Sequence, residues 1–145
     1  MSVTKQFILA GKAIFTLEIE SGFGEQHGLK SHYTFRVNKS DDVRYGEKYF
    51  VGLLTGPDNL SDYSYLGVLD KEGFVRTTAK SVGVSPVVFK LLNRVIQLIW
   101  ASDVSPIIKA GFKLHHEGRC GRCGRTLTTP ESVTAGFGPE CVTKI

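Results

Sequence analysis

Cys120 and Cys123 stand two residues apart, and Cys141, the third and last cysteine, follows in the same tail. No other feature of this 145-residue chain restricts its fold as much. Two intervening residues let one tight turn aim both sulfurs at a single ion, and Gly121 and Gly124 free the backbone where amides must turn toward sulfur. Gly138 and Pro139 read as the N-cap and first residue of a helix whose first turn carries Cys141, where the helix dipole favours a thiolate. A knuckle followed by a ligand on a helical first turn is treble-clef-like. The expectation is therefore one structural Zn2+ bound by Cys120, Cys123 and Cys141.

The alternatives for these cysteines fit less well. An odd count argues against a disulfide framework, and the C-x2-C pair lacks the βαβ surroundings of a redox motif. Glycine-rich, polar neighbours argue against free thiols in a core. A structural zinc takes four protein ligands, and the candidates for the fourth are His115 and His116. Where the entering segment is extended, Cys120 shares a face with Gly118 and His116, so period two favours His116 over His115. A fourth position held by water is the alternative. Between knuckle and Cys141, Thr129 reads as an N-cap, Pro130 as a helix start and Gly136 as its end, with Leu127, Val133 and Phe137 as a small core.

The string HEGRCGRCGRTLTTPESVTAGFGPEC resembles a small cysteine-rich, zinc-binding domain of unknown function that recurs in bacteriophage and mobile-element proteins. The matching pattern is C-G-x-C-G-R-x-L-T-x-P-x-S followed by G-x-G-P-x-C. The upstream segments YFVGLLTGPDN and DYSYLG look like the companion region of such phage proteins. The resemblance implies a phage or prophage origin and a zinc fold, with Cys120, Cys123, Cys141 and His116 as the ligands carried across. It implies no activity.

Upstream of the tail the apolar period is two. In KAIFTLEIE, Ala13, Phe15, Leu17 and Ile19 share one face, with Thr16, Glu18 and Glu20 on the other. Residues 31–38 repeat the alternation, and the glycine-rich SGFGEQHGLK between them reads as a hairpin loop. Strands are expected at Tyr49–Thr55, Ser64–Leu69 and Phe74–Thr78, with Gly56-Pro57-Asp58-Asn59 as a turn. Asp41-Asp42, with Lys39 and Arg44 nearby, reads as a solvated turn. The period then changes. Ser85 caps and Pro86 opens a helix to Trp100 in which the polar residues Lys90, Asn93, Arg94 and Gln97 form one narrow stripe. Such a helix reads as core packed across the sheet, with a helix shared with a partner as the alternative. Ser102–Ala110 reads as a link. The expected fold is α+β: a small antiparallel sheet, a meander or partly open barrel, with one apolar helix over residues 1–105, then a treble-clef-like zinc module over residues 106–145.

Charge and motif content narrow the function. Residues 1–105 carry twelve basic and eleven acidic side chains, and residues 106–145 six and three, so the excess lies in the tail. Three thiolates and one Zn2+ would lower it. Met1–Ala10 lacks the pattern of a signal peptide, and no run reaches the ~18 apolar residues of a membrane span. With the cysteine usage this fits a reducing cytoplasm, that of a bacterial host for a phage protein. No phosphate loop, nucleophile elbow, paired-carboxylate or deaminase motif is present, so an enzyme is not expected. Arg119, Arg122 and Arg125 on the knuckle, extended by Lys113 and Lys109, suit phosphate contacts with DNA or RNA. Tyr33, Tyr49, Tyr63 and Tyr65 read as core or cross-strand residues rather than a base-stacking platform. The leading expectation is a small phage-type accessory protein that binds nucleic acid without strong sequence specificity. The competing one is a host-takeover or counter-defence factor that binds a host protein.

Overall fold

A computed structural model describes residues 3–40, 48–58, 61–81 and 85–144. The Asp41-Asp42 loop and Asn59 of the expected turn lie outside the described residues. In chain order the elements are α1 (Lys5–Ile8), β1 (Lys12–Glu18), α2 (Ser21–His27), β2 (His32–Lys39), β3 (Tyr49–Leu54), β4 (Tyr63–Leu69) and β5 (Val75–Arg76), then α3 (Pro86–Trp100), α4 (Ser105–Lys109), β6 (Lys113–His116), α5 (Pro130–Ala135) and a single 3-10 turn, Cys141–Thr143.

The strands form one antiparallel sheet in the order β5-β4-β3-β2-β1-β6, curved into a half-barrel. The meander from β1 to β5 follows the expected strands. Cross-strand partners Phe15, Phe35 and Leu53 lie on one face, and the Phe15 and Phe35 rings pack at 5.7 Å. That face is closed by α3, whose Val88, Leu92, Val95, Ile96 and Ile99 are buried. Ser85 caps α3 by accepting from Val88 N at 3.4 Å, and Pro86 opens it. The apolar helix is thus core, as its composition requires. Tyr49 is buried too, and the Arg36 guanidinium lies 4.4 Å from the Tyr63 ring.

Four features differ from the sequence expectations. The glycine-rich segment after β1 is a helix, α2, because the Glu20 carboxylate accepts from Gly22 N and Phe23 N at 2.9 and 2.7 Å. Those two bonds satisfy orphan amides at the helix start and hold the Glu20 carboxyl below its ordinary pKa. The supposed link after α3 contains α4. The outer face of β1 is also covered: Thr16 is buried and shares a 2.7 Å hydrogen bond with Thr34, and its hydroxyl also donates to Glu117. Lastly, half of the α3 polar stripe serves the sheet rather than water. Asn93 accepts from Val75 N at 2.8 Å and donates to Val75 O at 3.2 Å, and Gln97 donates to Gly73 O at 2.7 Å. The Asn93 amide completes the short edge strand β5, and the Gln97 amide holds the turn before it.

Strand β6 pairs with β1 from Phe15↔His116 to Glu18↔Lys113. Beyond His116 the chain keeps to the same edge: Glu117 N donates to Ile14 O at 3.3 Å, and Lys12 N donates to Gly121 O at 2.8 Å. The cysteine knuckle is therefore seated against the first half of β1.

Candidate metal centre

The knuckle begins where β6 stops. Gly118 has φ +75°, a left-handed turn that ends the extended run. Arg119 and Thr126 then form an isolated antiparallel bridge, and Cys120 N donates to Arg125 O at 2.8 Å, closing a tight loop around Cys120-Gly-Arg-Cys123. Gly121 serves a purpose the sequence does not reveal. A Cβ there would sit 2.6 Å from the Phe7 ring, so the glycine is the seat of a buried phenylalanine. Phe7 also packs on Phe137 at 6.0 Å and on the His116 ring at 5.7 Å.

The return path brings in the third thiol. Thr129 Oγ1 accepts from Ser132 N at 3.2 Å and starts α5 at Pro130, and Gly136 ends it, as expected. Gly121 N donates to Gly136 O at 2.9 Å, which ties the end of α5 to the knuckle. Leu127 and Phe137 are buried between them, but Val133 is 43% exposed, and Ser132 takes the inward place. Cys141 lies on a single 3-10 turn that follows Glu140, not on a longer helix. A three-residue turn has little dipole to offer a thiolate.

The sulfurs of Cys120, Cys123 and Cys141 lie within 4.8 Å of one another. Tetrahedral Zn–S bonds of ~2.3 Å put sulfurs about 3.8 Å apart, so the thiols need only a small contraction to close on an ion. Cys120 and Cys141 are buried and Cys123 is half-buried. Burial pushes the Cys120 thiol up, but N–H groups of Gly138, Cys123 and Arg122, with the Cys123 side chain, outweigh it and bring the pKa down to about 7. For Cys123 the Arg125 N–H pulls the pKa down, while burial and the neighbouring Cys120 and Cys141 sulfurs prevail and raise it. Like charges in one pocket cannot all ionise without a cation, and a soft divalent metal supplies that charge.

The structure does not bring either histidine into this group. The period-two reading of residues 113–120 holds only to His116, because Gly118 turns the chain. His116 Nδ1 accepts from Gly118 N at 2.9 Å, and Nε2 meets Val133 O. His115 projects to the other face of the sheet, 3.4 Å from the Glu18 carboxylate. Among the described residues, no His, Asp or Glu joins the three thiols.

The basic residues divide. Arg119 donates to Gly124 O at 3.1 Å, and Arg122 donates to Cys141 Sγ at 3.6 Å, so both guanidinium groups fold back on the knuckle rather than standing free. Arg122 lines a cleft of about 640 Å³ with Lys5, Lys39 and Lys144. Arg119 lines an adjoining cleft of about 430 Å³ with Lys12, Arg36 and Lys39. Arg125 lines a third cleft beside Cys123 and Cys141. Lys113 pairs with Glu18 at the other end of β1, and Lys109 ends α4; neither lines the two basic clefts. Of the basic residues singled out in the sequence, Arg119 and Arg122 line these two clefts; the other cations there, Lys5, Lys12, Arg36, Lys39 and Lys144, are brought in by the fold.

The model of a family of unknown function, DUF6011, matches residues 115–145. The match spans the knuckle, α5 and Cys141, the segment that assembles the thiol cluster. No curated protein and no solved structure matches the chain. Among the described residues, no helix is long and apolar enough to cross a membrane.

Proposed function

We propose that the three cysteines hold one Zn2+ as a structural ion, and that the protein is a nucleic-acid-binding accessory protein rather than an enzyme. The observation that carries the nucleic-acid reading is the pair of clefts that meet at Lys39. Seven cations line them, and no carboxylate does among the described residues. A groove lined by one sign of charge suits a phosphate backbone and is tolerant of sequence. The metal contributes indirectly: it fixes the knuckle, and the Arg122–Cys141 contact anchors one guanidinium at the groove. The resemblance to phage proteins agrees with a small accessory role.

Titration of fluorescent duplex DNA, single-stranded DNA and RNA between low and moderate salt tests the proposal. Three or more phosphate contacts on duplex DNA give a log–log salt slope of about −2.7 or steeper. Lys39→Ala with Arg122→Ala flattens that slope, whereas Lys113→Ala with Lys109→Ala leaves it unchanged. Equal effects of the two pairs, or no binding at tens of micromolar protein, reject the groove.

One observation favours a protein partner instead. Ile108 on α4 is 60% exposed beside a cleft of about 280 Å³ lined by Val104, Ile107, Phe112 and Leu114. Nuclease-resistant capture of a host protein that Ile108→Glu abolishes would move the function to that surface.

A further inference from the structure

The ligand count at the metal centre leads to a second proposal, which rests on the metal reading above. His116 has no lone pair to give. A carbonyl oxygen only accepts, so Nε2 carries the ring proton toward Val133 O, and Nδ1 spends its lone pair on the Gly118 N–H. His115 faces away, and no other His, Asp or Glu of the described residues joins the thiol cluster. Among the described residues, the chain therefore supplies three ligands to an ion that takes four.

The space beside the sulfurs is not filled. Cys123 and Cys141 border a cleft of about 450 Å³, whose wall includes Arg122, Arg125, Thr129 and Glu140. Cys120 is fully buried on the far side. We infer that the fourth position of the bound metal opens into this cleft and takes a thiolate supplied from outside the chain. Softness favours sulfur for an ion already held by three thiolates. Two guanidinium groups against one carboxylate in the wall offset the added negative charge. A second copy has no spare thiol to offer, because the three cysteines of the sequence are already used as ligands. The source is a small thiol or a cysteine of a different protein. On binding, the incoming thiol gives its proton to solvent and displaces a water from the metal, with no change of oxidation state.

Cobalt substitution tests this. Full-length protein loaded with one Co2+ is titrated with 2-mercaptoethanol, and separately with a short peptide carrying one central cysteine. An open position predicts that the sulfur-to-cobalt charge-transfer band grows by roughly one-third per cobalt as three thiolates become four, with a shift of the visible bands. Growth with both probes identifies a position that a partner protein can reach; growth with 2-mercaptoethanol alone restricts it to small thiols. His116→Ala, already lacking the imidazole, shows the same starting spectrum and the same response. A wild-type spectrum that ignores both thiols, with a His116→Ala spectrum that differs before any thiol is added, overturns the proposal and makes His116 the fourth ligand. Absence of any charge-transfer band on adding Co2+ instead defeats the metal reading itself.

Discussion

The body of the molecule and its cysteine tail lie against each other but are held by different means. The body buries Phe15, Phe35, Leu17, Val37, Val51, Leu92 and Ile96 almost completely. Beyond His116 the buried apolar side chains among the described residues are Leu127, Phe137, Cys120 and Cys141. Two of those four are the proposed ligands. Hydrophobic burial is the main driving force of folding, and so small a cluster does not offset the chain entropy of the tail. The contrast teaches that one chain can build a sheet with a core of its own and, on its edge, a loop whose core is small enough to need the proposed ion and a neighbour.

The largest expected effect comes from removing a ligand. Structural zinc contributes about 10–16 kcal/mol of apparent binding energy in zinc-finger peptides, all of it available for folding. Cys123→Ser is expected to lose the metal, from about one per chain to none by elemental analysis, while the far-ultraviolet signal of the sheet persists. A variant that keeps its zinc would show that Cys123 is not a ligand.

Next come the two ways to damage packing. Phe7→Ala is expected to cost about 3–5 kcal/mol in chemical denaturation, because Phe7 is fully buried and is the ring on which the knuckle sits. It also accelerates metal loss to a chelator, since its contacts lie on both sides of the junction. Leu92→Ala is expected to cost roughly 2–5 kcal/mol and to leave that rate of loss unchanged under native conditions. If both variants speed metal loss alike, the two regions form one cooperative unit and the contrast fails. The smallest effect is at the sheet edge. Asn93→Ala strips two bonds from β5 and is expected to cost about 1–3 kcal/mol without touching the metal.

What the sequence reveals follows the same division. Alternation in KAIFTLEIE and in residues 31–38 identifies β1 and β2, because the apolar face of a sheet writes its register into every second residue, although β1 is covered on its other face as well. The cap-and-proline signals at Ser85-Pro86 and Thr129-Pro130 locate α3 and α5 because capping is local. Long-range choices are not written locally. Nothing in SGFGEQHG announces that Glu20 will cap it into a helix. Nothing in Asn93 or Gln97 shows that their amides meet a strand and its preceding turn some twenty residues earlier. The thiol cluster is legible from cysteine spacing, whereas the fate of His116 depends on a single left-handed Gly118 and on a carbonyl in α5.

The most direct test is amide hydrogen exchange of the zinc-loaded protein, with and without a chelator, read residue by residue. The amides of Cys120, Gly121 and Leu127 donate to Arg125 O, Gly136 O and Gly118 O within the tail. Those of β1 and β2 belong to the ladder from Lys12↔Asn38 to Glu18↔His32. The account predicts that chelation strips protection from the first set and leaves the central ladder amides protected. Protection of the tail that survives complete metal removal, or simultaneous loss in both sets, would contradict it.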